Sequence, residues 1–164
     1  MAWTDTAVTI LRNLIGDTTS PSTYDDDRLI ELLYSSAFLV IHEIPFGTTY
    51  TINLTGLSIS PDPITMDDKA FVSLVVLKAA CTIFNVEYHN ASSKAMIIRD
   101  GPSTIDAKYV AESKKSLAES MCKNYYDSKI AFIAGDSSLC CAIIGPHNFG
   151  TSYYPEDDIS LMFN

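Results

Sequence analysis

The run 71-FVSLVVLKAACTIFNVEYHN-90 constrains the fold more than any other part of the chain. It carries no proline or glycine and reads as a helix, yet apolar residues fall on nearly every side of it. A helix of that kind has no face to give to water, so several neighbours must bury it, within its own domain or across a subunit contact. Its start is marked by Thr65-Met66-Asp67-Asp68, which has the form of a capping box. Thr65 and Asp68 are the expected capping residues.

The neighbours have to come from the rest of the chain. At 164 residues, 47% hydrophobic and 19% charged, the composition is that of one folded domain with a sizeable core. A first helix is predicted from Thr4 or Asp5 to Ile15, with Val8, Leu11 and Ile15 on one face and Gly16 as the stop. After the loop 16-GDTTSPST-23, a second helix runs to Pro45, with Leu29, Leu32, Leu33, Phe38, Ile41 and Ile44 as its apolar face. Three consecutive aspartates, Asp25, Asp26 and Asp27, lead it. A cap from Thr23 or Asp25, with carboxylates at the positive end of the helix dipole, accounts for them. Calcium would require alternating oxygen ligands, a glycine turn and a distal Glu, and DDDRL supplies none of these.

Beyond Gly47 the period changes to two. In 49-TYTINLTGLSIS-60, Tyr50, Ile52 and Leu54 alternate with polar residues, which predicts a strand broken near Gly56 and continued by Leu57 and Ile59. Two prolines make 60-SPDPIT-65 a rigid extended connector. The stretch 91–102 ends on a Gly-Pro breaker, and a fourth helix is expected from Ser103, with Asp106 completing a second capping box. It would reach about Ala134, roughly 45 Å at 1.5 Å per residue. Lys108, Glu112, Lys115 and Glu119 form its polar face, and Tyr109, Leu117, Met121 and Tyr125 its inward one.

The expected fold is thus mainly α: a small bundle of about four helices over 1–135, a short β-hairpin or strand insertion near 46–64, and an extended C-terminal arm, 136–164. The arm contains the apolar run Cys140–Ile144, then 147-HNFGTSYYPEDDISLMFN-164, with no helical pattern. Phe149, Tyr153, Tyr154, Ile159, Leu161 and Phe163 cannot form a core by themselves. Either they dock on another surface, such as a neighbouring subunit, or the terminus frays. With Tyr50, Ile52 and Leu54 they are the candidate interface residues.

Charge narrows the function. Eleven Lys and Arg stand against twenty Asp and Glu, for a net charge of −9. Affinity for nucleic acid rests on cations that neutralise phosphates, so a DNA-gripping surface is not expected, although an acidic wall facing DNA is compatible. The N-terminus lacks a basic region of the signal-peptide kind, and the longest unbroken apolar runs fall short of the roughly 20 residues of a membrane span. A soluble product made in a cytoplasm is expected, with no membrane partner. The Asn53 and Asn90 sequons then carry no meaning.

No catalytic pattern stands out. Cys81, Cys122, Cys140 and Cys141 lack the paired spacing of a zinc site and read as buried thiols. His42, His89 and His147 belong to no local signature, though a spatial Cys122–His pair stays open. G-x-S-x-G, G-x-G-x-x-G and Walker patterns are absent. His42 and Glu43 are adjacent on a helix and point different ways, against a two-ligand metal site. No catalytic residue, cofactor or metal is expected.

The order of parts carries a resemblance. A helix led by 24-YDDDRL-29, a Y-T-I-N-L strand, the connector 60-SPDP-63 and an apolar helix containing 77-LKAAC-81 resemble the head–tail connector, or adaptor, proteins of tailed bacteriophages, in layout over about residues 5–130. The resemblance implies a structural virion protein of the neck, with no catalytic residues. It implies a homo-oligomeric ring, usually of twelve copies, that binds the portal protein at the capsid vertex, presents a platform to a neck or tail protein, and continues the channel through which genomic DNA passes without specific binding. Two readings of other classes stand beside it. A small terminase-like ring protein would need a basic helix-turn-helix patch, and a small cytoplasmic ligand-binding module would need a pocket with convergent polar groups near Cys122 or His42.

Overall fold

A computed structural model describes residues 3–94, 97–100, 103–106 and 108–135. Four helices and two antiparallel hairpins follow one another: α1 Trp3–Ile15, α2 Asp26–Glu43, β1 Thr51–Asn53, β2 Ser58–Ser60, α3 Lys69–Ser93, β3 Ile97–Asp100, β4 Ser103–Asp106 and α4 Lys108–Ile133. The mainly helical architecture is the expected one. Residues 136–164, the proposed arm, lie outside the described residues.

The apolar run forms the central helix. Phe71, Val72, Leu74, Val75, Val76, Leu77, Ala79, Ala80, Cys81 and Ile83 of α3 are all buried, and α1, α2 and α4 each pack against it. By length and composition alone α3 could cross a membrane, with a mean hydropathy of 1.7 over its best window. In this fold 56% of that window is buried among the other helices. The individual apolar runs are short, but Lys78 is the only charge between Ala70 and Val86, so the helix as a whole is far more apolar than any one run.

α1 buries Trp3, Thr4, Ala7, Val8 and Leu11 and stops at Gly16, whose φ of +73° is the left-handed conformation that favours glycine. α2 departs from its expected face. Leu29, Leu33, Tyr34, Ser36, Ala37, Val40 and Ile44 are buried, whereas Phe38 is turned out. The line Leu33–Ala37–Val40–Ile44 keeps the helical repeat, and the step of five from Leu33 to Phe38 does not. Small Ser36 and Ala37 also let a neighbouring helix approach closely.

The predicted strand is a hairpin. β1 pairs with β2 through Thr51–Ser60, Ile52–Ile59 and Asn53–Ser58. Asn53 Oδ1 accepts hydrogen bonds from the Thr55 and Gly56 amides, both at 3.0 Å, and so closes the turn at the expected glycine. The residues around it form an aromatic cluster. Tyr50 stacks on Phe71 at 4.2 Å, and Phe46 meets both Phe71 and Phe132 at 5.2 Å. The first turn of α3 and the last turn of α4 therefore lie at one end of the bundle.

Several local expectations are corrected. The connector 60-SPDP-63 leads into a coiled turn, not an extended strut: Asp62 Oδ1 accepts the Ile64 amide at 2.8 Å, and the Asp68 amide reaches Pro63 O at 3.0 Å. Thr65 belongs to that turn, donating its hydroxyl to Asp62 O, and the cap of α3 is Asp68, whose Oδ1 accepts from the Phe71 amide at 3.0 Å. Asp25 is the N-cap residue of α2 by backbone conformation, but its side chain makes no cap hydrogen bond, and Thr23 instead gives its amide to Asp17.

The fourth helix does not open at Ser103 and Asp106 either. They lie on β4, paired with Asp100 and Ile97 of β3, and α4 begins only at Lys108. Gly101-Pro102 between two short runs containing Ile and Thr was a turn signal that outweighed the S-x-x-D pattern. On α4 the inward line is Ala111, Ala118 and Tyr125, with Met121 partly covered, while Tyr109 and Leu117 face out. The alanines bring α4 close to α3, so the larger neighbours are left outside.

The cysteine expectation is also overturned for one pair. Cys81 of α3 and Cys122 of α4 are joined by a disulfide, with Cα atoms 4.7 Å apart across a separation of 41 residues. Sequence spacing cannot reveal this pairing, because it follows from which turns of two antiparallel helices face each other. Cys140 and Cys141 lie outside the described residues.

Candidate interaction surfaces

Three carboxylates hold the helices in register. Glu43, at the last turn of α2, accepts from Lys78 of α3 at 2.7 Å, and from Tyr125 and Lys129 of α4 at 2.7 and 2.9 Å. Burial acts to raise its carboxyl, but the hydrogen bonds from Lys78, Lys129 and Tyr125 outweigh it and hold it at about 2. Glu87 is bound by Lys114 of α4 and by the Tyr24 hydroxyl. It too lies below the usual carboxylate range: burial opposes the shift, and those two donors drive it. Asp17 gathers the loop between α1 and α2. It accepts the Thr23 and Tyr24 amides and the Arg12 guanidinium, which also grips Asp26 at 2.7 Å. The hydrogen bond donated by the Thr23 backbone amide is the main cause that lowers the Asp17 carboxyl.

None of these clusters has the shape of a reacting centre. The oxygens of Glu43 are occupied by lysines and a tyrosine of the same chain, and the group is ionised at neutral pH, so it is not poised as an acid or a base. Burial and the bond to Glu43 push the Tyr125 phenol up, away from the phenolate. Cys122 is committed to its disulfide, which removes the thiol from the Cys–His pairing that the sequence left open. His42 is exposed, with Nδ1 2.8 Å from Phe38 O of its own helix. Among the described residues, no three His, Cys, Asp or Glu side chains are grouped to hold a metal ion. Asp26 of the aspartate triplet is engaged by Arg12, a partner that only the fold could supply.

The surface features are apolar. On α4 the buried line Ala111–Ala118–Tyr125 divides two outward flanks. Val110 and Leu117 lie on one side of it, in the N-terminal half. Tyr126, Ile130 and Ile133 lie on the other, in the C-terminal half, and Ile130 is 64% exposed. Phe38 and Leu39 add an exposed pair on α2.

The candidate interface residues separate. Tyr50 is buried and donates its hydroxyl to Asp68 Oδ2 at 2.7 Å, so it is a core residue. Ile52 packs against the core, and only Leu54, in the turn between β1 and β2, is presented outward. Phe149, Tyr153, Tyr154, Ile159, Leu161 and Phe163 lie outside the described residues. The two flanks of α4 were missed by the sequence reading. Their signal was present, since α4 carries more large apolar residues than one buried face can hold.

No protein-family model, no curated protein and no solved structure matches the chain.

Proposed function

We propose that this chain is a structural virion protein whose copies form a ring joining the portal vertex of a tailed-phage capsid to its neck or tail, and that it is not an enzyme. The observation that carries this reading is the pair of apolar flanks on α4, set on opposite sides of one helix and at different heights. A subunit in a ring meets one neighbour on each side through two different patches, and a repeated contact of that kind closes on itself. A surface built for a two-fold dimer would use one patch twice.

The resemblance in layout adds the place in the virion. The segments that carry it fall on the lead of α2, the turn before α3 and the middle of α3. On this reading twelve copies sit beneath the portal protein, and the β1–β2 turn with Leu54 is the feature offered to the portal or to a neck or tail protein. A net charge of −9 per subunit lets genomic DNA slide through without specific binding. Assembly takes place in the host cytoplasm.

The test is the mass of the purified chain in solution and in reconstitution with a portal, for wild type, Leu117→Asp and Ile130→Asp. Both positions are at least half exposed, so each variant should keep its helical circular dichroism while ring formation is lost. Rings that form unchanged in both variants would remove the flanks as subunit contacts. Cross-links from tagged chain in purified particles to portal and neck proteins would support the assignment, and retention on heparin with absence from particles would favour a packaging protein.

A further inference from the structure

The N-terminal half of α3 borders a groove. Val72 and Val76 of this helix lie on the face away from Lys78 and Cys81, the side that meets α4. There they form, with Ile10 and Leu14 of α1 and with Pro63 and Ile64 of the turn before α3, an open apolar groove of about 650 Å³. Ile10, Ile64 and neighbouring Met66 are large apolar residues left exposed around it. Water filling such an open groove meets largely hydrocarbon walls, and an apolar side chain entering it would remove that contact.

We propose that the groove is the seat of the C-terminal segment of the same chain, with Ile159, Leu161 and Phe163 lying in it. Where the described chain ends is the first argument. Phe132, in the last turn of α4, touches Phe46, which touches Phe71, the residue before Val72 of the groove, with both ring contacts at 5.2 Å. The chain thus leaves α4 at the end of the bundle where the first turns of α3 border the groove.

Length is the second argument. Residues 136–158 separate Gly135 from the segment. As a flexible linker they span about 26 Å on average and at most about 75 Å, so the groove falls within their ordinary reach. A tether of that length presents the segment at roughly millimolar effective concentration, which a second copy at micromolar concentration does not match.

Sequence chemistry is the third. In 159-ISLMF-163 four of the five residues are large and apolar, and in an extended peptide Ile159, Leu161 and Phe163 would share one side, with Ser160 and Met162 on the other. That is the form in which a peptide fills an elongated apolar groove.

The measurement is methyl NMR of the full-length chain with Val72, Val76 and Leu14 observed, compared with the full-length double variant Leu161→Asp, Phe163→Asp. Both changes lie outside the described residues, and the rest of the spectrum serves as the control for folding. The expected result is that the groove methyls move in the variant, and that a synthetic peptide of residues 155–164 returns them to their wild-type positions at millimolar concentration. Groove methyls that are the same in both proteins would overturn the proposal. So would wild-type shifts that appear only at protein concentrations where the chain self-associates, because the segment would then be seated in a second copy.

Discussion

α3 and α4 are nearly the same length, 25 and 26 residues, and lie side by side, yet they relate to solvent in opposite ways. α3 has its apolar residues spread around the whole helix and is enclosed by α1, α2 and α4. α4 has one narrow buried line made largely of alanines, with apolar residues left over on two flanks. The difference separates two uses of hydrophobic surface. On α3 it makes the domain, and on α4 the excess is the surface on which the proposed ring contact rests. If that division holds, damage to α3 should be read in stability and damage to the flanks of α4 in association.

The sharpest way to break the comparison is Phe71→Ala. The side chain is fully buried between Tyr50 and Phe46, and its removal leaves a cavity at the end of the bundle. A loss of about 3–5 kcal/mol in denaturant unfolding is expected. A loss below about 1 kcal/mol would show that the aromatic cluster is loosely packed and that α3 is not the organising helix.

Second is the bond between the two helices. Reducing Cys81–Cys122, or replacing both residues by alanine, should cost about 2–4 kcal/mol, because the bridge closes a loop of 41 residues in the unfolded chain. The comparison to make is unfolding with and without reductant, in wild type and in the double variant. The double variant should lose its sensitivity to reductant. The helices should stay paired in it, since Glu43 and Glu87 also link α4 to the rest of the bundle.

How far this division could be read in the sequence depends on the range of each interaction. α3 was legible from its long apolar run without proline or glycine. Helix period placed α1, α2 and the body of α4, because amphipathic spacing is local and Val8, Leu11, Leu29, Leu33 and Tyr125 obey it. The turn at Gly56 was legible for the same reason. The second hairpin was not, since 97-IIRDGPSTID-106 holds both a turn signal and a capping pattern, and short windows do not rank the two. The disulfide and the Glu43 clamp join residues 35 to 86 positions apart, which no window sees. The flanks of α4 were hidden by a simpler error. Tyr109 and Leu117 were assigned inward with Met121 and Tyr125, whereas close helix packing put Ala111 and Ala118 on the buried line.

Third comes the clamp that ties α2 to both long helices. Glu43 has a folded value of about 2 against an ordinary 4.5, so its folded form binds the proton less readily than the unfolded chain. Its contribution is fully present above pH about 4.5 and is lost as pH falls toward 2, and at neutral pH it is on the order of 2–3 kcal/mol. Stability measured across that window should fall less steeply in Glu43→Gln than in wild type. Parallel curves for the two proteins would mean that the carboxylate is not held by Lys78 and Lys129 in solution.

The smallest effect concerns how the enclosed helix and its partner begin. Asp68 caps α3 through Oδ1 and anchors the Tyr50 hydroxyl through Oδ2, so Asp68→Ala removes both bonds. Asp25 stands at the equivalent position of α2 with no side-chain cap bond, and Asp26 beside it is held by Arg12. Asp68→Ala should therefore cost about 1–2 kcal/mol, and Asp25→Ala only a few tenths, from the helix dipole alone. The midpoints of the two variants in urea, measured against wild type, decide it. Equal losses would show that Asp25 does cap α2 in solution, and that the triplet starts its helix by the local bond its sequence suggests. The expected inequality instead shows that α2 starts without a cap from Asp25, and leaves the Arg12–Asp26 bond as a contact the fold supplies at that end.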